Sequence, residues 1–339
     1  MTSGKAWIAV IGAVLASFIS VPAWADACGP LKQVMSLDLD VLPSGLSTVP
    51  VTINGSPRKM LFDTGGGIST LTQSAAESLG LHPVSTRAKL LDVRGNASQT
   101  YVTLASFVIG SAQANDLMMM IAPQDKIGDT GADGILAGDL MIRYDEEMDY
   151  ANKKLLYFLP DHCDGHVVHW TSAPVAVIPF RRALAGGRNI NDTHIRFHVT
   201  MDGKDLSAIL DTGASRTLIS AKAANADFNV NENTPNTVPL GEMQGRKVVG
   251  YVFKAISFGD AGAGSVTVGN PHVTVLPDLI GLHDPNNSHV TNSLIKREDD
   301  DLGPDITIGM DVIKQLHIYV ATREQNLYIS AAGAPAPGQ

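Results

Sequence analysis

Apolar positions along the chain come in short runs broken by Gly, Asn and Asp, and no segment carries the spacing of a long amphipathic helix. Val51-Thr52-Ile53 runs into Asn54-Gly55, and Val199-Thr200-Met201 runs into Asp202-Gly203. An Asn-Gly or Asp-Gly pair after a β-like run predicts a tight hairpin. The return strands, Lys59–Phe62 and Leu206–Leu210, each end on Asp-Thr-Gly, at Asp63-Thr64-Gly65 and Asp211-Thr212-Gly213. Short helices are expected next, over Gln73–Leu79 and Ala221–Ala226. The last β-like runs of the halves are Lys154–Leu159 and Asn326–Ser330. The pattern predicts a mainly β protein of two similar lobes.

The similarity of the halves is a matter of register. An offset of 148 residues carries Val51–Gly55 onto Val199–Gly203 and Asp63 onto Asp211 without a gap. It also pairs Ser69 with Thr217, Thr72 with Ser220, and Ala75-Ala76 with Ala223-Ala224. Farther on, Phe107–Gly110 matches Ile256–Gly259 at 149, and Leu136–Leu140 matches Ile308–Val312 at 172. The added residues fall around Pro277–Pro304, whose Asp284-Pro285-Asn286-Asn287 and charged Lys296–Asp301 predict a long exposed loop. The joint between halves is expected near Asp164–Pro174.

The amino terminus has its own pattern. Lys5 precedes an apolar run from Ala6 to Val21, then Pro22 and Ala23-Trp24-Ala25. This describes a secretory signal over residues 1–25, with the protein periplasmic or secreted. Membrane contact would come only through that segment left uncleaved, because no later stretch is apolar enough to span a bilayer. Residues 26–165 then form the first lobe, 166–331 the second, and the Ala- and Pro-rich end, 332–339, a disordered tail. Cys28 and Cys163 are the only two cysteines. Outside the cytoplasm they could form a disulfide or remain two thiols.

Composition narrows the function. With 34 Asp+Glu against 25 Lys+Arg the chain is acidic, and no basic run favours nucleic acid. His162, His166 and His169 fit a zinc site only loosely, and a solvated interlobe linker is the better reading. Met118-Met119-Met120 reads as a core strand rather than a copper site. Ser69 and Ser215 lack the setting of a nucleophile elbow. The duplicated aspartates remain. Two carboxylates about 3 Å apart cannot both ionise, so they share a proton. The ionised member can take a proton from water while the protonated one donates to a carbonyl oxygen. That chemistry needs no metal and no other cofactor. In each triplet Thr supplies a hydroxyl that can bond the partner loop, and Gly lets the backbone turn beneath the carboxylate.

Lys59-Met-Leu-Phe-Asp-Thr-Gly-Gly-Gly-Ile-Ser-Thr70 and Ala208-Ile-Leu-Asp-Thr-Gly-Ala-Ser-Arg-Thr-Leu-Ile219 resemble the active-site motifs of aspartic peptidases, most closely the bacterial retropepsin-like aspartyl proteases. Asp133–Leu140 and Asp305–Val312 resemble that family's second element. The resemblance implies a pseudo-dimer of two retropepsin-like β-barrel lobes with an active-site cleft between them. Asp63 and Asp211 would be catalytic at its floor, with Thr64, Gly65, Thr212 and Gly213 supporting the loops. It implies an endopeptidase acting on a peptide or protein substrate as a monomer, with hairpins near Val93–Tyr101 and Leu240–Val249 closing over it. A peptide-binding protein without turnover is the alternative. Its motivation is local: Gly66-Gly67 predicts a looser first loop. Ala137 stands opposite Gly309, unless a one-residue shift brings Gly138 there.

Overall fold

We describe a computed structural model covering residues 29–92, 96–127, 129–182, 193–243, 245–260, 264–277 and 304–336. The expected signal segment, Cys28, the Val93–Gly95 turn and most of the 277–304 loop lie outside the described residues. Among those described, no helix is long and apolar enough to cross a membrane.

Both hairpins form where the sequence places them. Ser47–Ile53 pairs with Ser56–Asp63, and Arg196–Met201 with Lys204–Leu210. Asn54 and Gly55 turn with φ of 49° and 79°, Asp202 and Gly203 with 46° and 82°. Those left-handed values select the Asn-Gly and Asp-Gly pairs. Each turn is also tied down: Asn54 Oδ1 accepts from the Ser106 N–H at 2.9 Å, and Asp202 Oδ1 from the Ala255 N–H at 2.8 Å.

In the first lobe eight strands form one sheet. It closes on itself, because Ser47–Ile53 pairs with Ala97–Ile109 as well as with its hairpin partner. The second lobe repeats the order, but its long strands are cut. Where Ala97–Ile109 and Ala112–Ile121 run unbroken, the second lobe has Arg246–Val252 then Ala255–Phe258, and Val266–Gly269 then His272–Leu276. Pro271 has no N–H for a ladder and Asn270 turns at φ 50°, so the strands part there. Met119 and Met120 are buried as expected, but Met118 is 70% exposed, so two of the three methionines are core and one is surface.

Among the described residues, four short helices complete the lobes: α1 (Gln73–Ser78), α2 (Gly138–Met141), α3 (Ala221–Phe228) and α4 (Met310–Ile313). The in-register pair Thr72 and Ser220 are the N-caps of α1 and α3, accepting from Ala75 N–H at 3.2 Å and Ala223 N–H at 3.1 Å.

A third sheet joins the halves. Its six strands run Gln33–Asp38, Lys154–Phe158, Asp145–Asp149, Leu316–Ala321, Asn326–Ala331 and Ala176–Pro179. Its centre holds three consecutive acids, all buried. Asp145 takes His162 Nε2 at 2.5 Å, the Tyr319 hydroxyl at 3.1 Å and the Thr322 N–H at 2.7 Å. Glu147 takes His169 Nε2 at 2.8 Å and His317 Nε2 at 3.0 Å. Glu146 points the other way, to Arg182 Nη1 at 3.0 Å. The linker is therefore not the solvated segment that the histidines suggested. His162 is 1% exposed, and it and His169 serve two different carboxylates of the central strand. Cys163 between them is disulfide-bonded. The tail expected to be without structure is held at Pro335, whose carbonyl accepts from Thr171 Oγ1 at 2.8 Å and Ser172 N–H at 3.3 Å.

The Glu147 cluster ties sheet stability to pH. Burial pushes Glu147 up, but the hydrogen bonds and charges of His169 and His317 together hold it below its ordinary value of 4.5. His169 is held above its ordinary 6.5, chiefly by its bond to Glu147. The lowered carboxyl stabilises above about pH 4.5 and loses this as pH falls through its folded value. The raised imidazole stabilises below about pH 6.5 and loses this as pH rises through its folded value. Glu147→Gln should therefore lower the melting temperature most between about pH 4.5 and 6.5, and less at pH 8, in a calorimetric pH series.

Candidate active site

The two triplets meet at the junction of the lobes. Each return strand lies parallel to the strand of its lobe's second element, Asp63 opposite Ala137, and Leu210 opposite Ile308. That pairing fixes both loops on rigid sheet.

The threonines lock them together. The Thr64 N–H donates to Thr212 Oγ1 at 3.0 Å, and the Thr212 N–H to Thr64 Oγ1 at 3.1 Å. Each hydroxyl then donates across the lobes, Thr64 to the Leu210 carbonyl at 2.8 Å and Thr212 to the Phe62 carbonyl at 2.9 Å. Both residues are buried. Each such bond contributes about 1 kcal/mol net, and an orphaned group would cost about 1–3 kcal/mol. Geometry and energy thus favour one relative position of the loops.

The glycines explain the close approach of the carboxyls. A methyl on Gly65 would overlap the Asp211 carboxyl, and one on Gly213 the Asp63 carboxyl. Each glycine also donates its N–H to its own aspartate, Gly65 to Asp63 Oδ1 at 2.9 Å and Gly213 to Asp211 Oδ1 at 2.8 Å. Asp211 Oδ1 takes a further bond from the Ala214 N–H at 3.1 Å.

Burial and the neighbouring Asp211 carboxyl push Asp63 well above the ordinary carboxylate range. Burial also raises Asp211, but backbone N–H groups, a hydrogen bond from Asp63 and the His194 charge pull it back. Two buried carboxyls in contact cannot both ionise, so the pair shares a proton and titrates as a unit.

The second elements anchor these loops from below. Asp139 Oδ1 takes the Ser69 N–H at 3.0 Å and its hydroxyl at 2.6 Å, and Ser69 Oγ accepts from Ala137 N–H at 3.0 Å. The second lobe repeats this with Asp311, Thr217 and Gly309 at 2.8, 2.7 and 3.1 Å. Ala137 is thus the counterpart of Gly309, with no shift to Gly138. Ser69 is a structural donor here, not a nucleophile.

Ala137 is accommodated by an exchange of small residues. A methyl on Gly66 would press on Ala137 Cβ and Asp63 Oδ2, both at 3.2 Å. In the second lobe Ala214 stands in the loop, and Gly309 leaves room for the loop backbone, since a Cβ there would overlap the Arg216 carbonyl and approach that of Ala214 to 2.9 Å. One lobe places Gly in the loop and Ala below; the other reverses them.

The first loop is not loose either. Thr193 Oγ1 donates to the Gly66 and Gly67 carbonyls at 3.1 and 3.3 Å, and His194 Nε2 to the Gly65 carbonyl at 3.0 Å. Buried Arg182 holds the Thr193 carbonyl with Nε at 2.9 Å, and lies where a side chain at Gly138 would be. Sequence reasoning missed Thr193, His194, Arg182 and Glu146. The three-acid run Asp145-Glu146-Glu147 beside apolar residues was the one available signal.

The described residues thus bring Asp63, Thr64 and Gly65 together with Asp211, Thr212 and Gly213. Comparison with curated proteins finds no match. The family described as aspartyl protease matches residues 49–140 and 197–312, one region in each half, each spanning a triplet and its anchoring aspartate. With more than half of its length so matched and its two lobes joined at paired Asp-Thr-Gly loops, the chain belongs to the aspartyl protease family.

Proposed function

We propose that this protein is an aspartic endopeptidase that hydrolyses peptide bonds with a water activated by Asp63 and Asp211. The observation that carries this reading is the dyad: two carboxyls brought together by glycines that admit nothing larger, on loops locked by exchanged threonine bonds. The ionised member of the pair takes a proton from the water. The protonated member donates to the carbonyl oxygen of the peptide bond, and the tetrahedral intermediate breaks down as the proton moves to the departing nitrogen. Because both groups titrate above the ordinary range, the singly protonated pair persists into mildly acidic solution.

A peptide or protein is the substrate. Val238 and Leu240, on a hairpin strand of the second lobe, are 59% and 45% exposed and offer apolar surface to such a chain. Asp63 and Asp211 belong to one polypeptide, so a monomer suffices. The signal-like first 25 residues and the disulfide at Cys163 support a periplasmic or secreted location. The inactive-binder alternative drew on Gly66-Gly67 and Ala137; the packing of Gly66 against the Ala137 methyl and the Thr193 bonds to the Gly66 and Gly67 carbonyls weigh against it.

The test is digestion of a peptide library by the purified protein between pH 3 and 7, with and without a chelator, reading cut sites by mass spectrometry. Chelator-independent cleavage with an acidic optimum is expected. Binding of peptides without cleavage at any pH would overturn the reading in favour of the binder.

A further inference from the structure

We propose that His194 is a positioning residue of the dyad: from the second half of the chain its ring N–H fixes the Gly65 carbonyl, on the backbone unit that holds Asp63 and lies against the Asp211 carboxyl, and so biases how the two aspartates share their proton. This rests on the dyad reading above. It adds a residue outside both motifs, and a polarity that the two similar triplets do not have by themselves.

The geometry is specific. A carbonyl oxygen can only accept, so the 3.0 Å contact to Gly65 O places a proton on His194 Nε2. Gly65 is the residue whose N–H holds Asp63 and whose Cα faces the Asp211 carboxyl. His194 thus grips the one backbone unit that touches both aspartates. Its own position is fixed by Thr193, which bonds Gly66 and Gly67 and is held by Arg182. Arg182 is in turn paired with Glu146, so that charge is balanced locally.

Charged groups near His194 include the Asp211 carboxyl and, through Thr193, the Arg182–Glu146 pair. Arg196 follows on its own segment, bridged through its backbone to Arg181. The His194 charge acts on Asp211 in the direction of ionisation. The repeat shows that this is a feature of one side only. At the 148-residue offset, Thr193-His194 corresponds to Gly45-Leu46, which has neither hydroxyl nor imidazole.

A cation beside Asp211 lets the singly ionised dyad form at lower pH. Its removal should therefore be felt first on the acid side of the rate profile. The experiment is kcat/KM against pH for the full chain, wild type and His194→Gln. Glutamine can still donate to the Gly65 carbonyl but carries no charge.

We expect the variant to fall about 3- to 10-fold below wild type on the acid limb and by clearly less at its optimum. His194→Lys, which restores a cation, should keep the wild-type acid limb. An unchanged Gln profile, a uniform loss at all pH values, or a Lys limb displaced like that of Gln would each overturn the proposal. Carboxyl-13C NMR titration of aspartate-labelled wild type and His194→Gln decides the matter without turnover. The Asp211 midpoint should move upward in the variant, and an unmoved midpoint overturns the proposal. If the wild type cleaves nothing, the hydrolase reading fails while this titration still judges His194.

Discussion

Asp211→Asn is expected to cripple the proposed peptide cleavage and to leave the fold intact. The amide keeps the size of the carboxyl, and its oxygen can still accept from the Gly213 and Ala214 N–H groups. It cannot take a proton from water. General acid–base catalysis contributes about 10²–10⁴-fold, so kcat should fall by about 10³-fold or more. Asp63→Asn should fall comparably, because the pair acts as a unit.

Stability moves the opposite way, and this separates lost chemistry from misfolding. Burial raises both carboxyls in the folded state, so ionising them there opposes folding at neutral pH. A raised carboxyl means that the native state holds more protons than the unfolded one, and stability rises as pH falls. Asparagine removes that opposition. Each variant should melt no lower than wild type at pH 7, with any gain shrinking toward pH 4. The check is a melt series run beside the activity assay. A variant that is both inactive and unfolded at pH 7 contradicts the expectation.

Gly65→Ala is the second large effect. Its methyl would overlap the Asp211 carboxyl, within a site closed by four cross-lobe hydrogen bonds. Something must move, and the lock leaves the carboxyl as the softest part. Overpacking of this kind costs about 1–3 kcal/mol. The displaced dyad should lose about 10²-fold or more in kcat, since small errors of placement act steeply on rate. Gly55→Ala is the control. Gly55 turns at φ +79° with nothing within 4 Å of an added methyl. It should lose about 1 kcal/mol of stability from backbone strain and keep its kcat. If the two alanines behave alike in kcat and melting, the steric account of Gly65 fails.

These effects trace to residues legible in the sequence because they are local and repeated. Asp-Gly and Asn-Gly dictate their hairpins without help from distant chain. Thr72 and Ser220 cap their helices within three residues. Ser69 and Thr217 meet Asp139 and Asp311 in both halves, so the common register exposed them. What stayed hidden was contributed across the chain and only once. His194 corresponds to Leu46, so comparison of the halves led away from it. Glu146 and Arg182 are an ordinary acid and an ordinary base until the central sheet buries them together. The looseness expected of Gly66-Gly67 was a judgement from local chain alone, and Thr193 reverses it from more than a hundred residues away.

The exchanged threonine bonds carry a consequence for how the protein comes into being. Each lobe can pair its own strands, but neither can satisfy its own Asp-Thr-Gly loop: the Thr64 N–H and hydroxyl need the second lobe, and those of Thr212 need the first. During synthesis the amino-terminal half emerges first, with two polar groups of its motif still facing water. The paired aspartates therefore come together only when the lobes dock, and a nascent chain carrying only the first half holds one member of the pair.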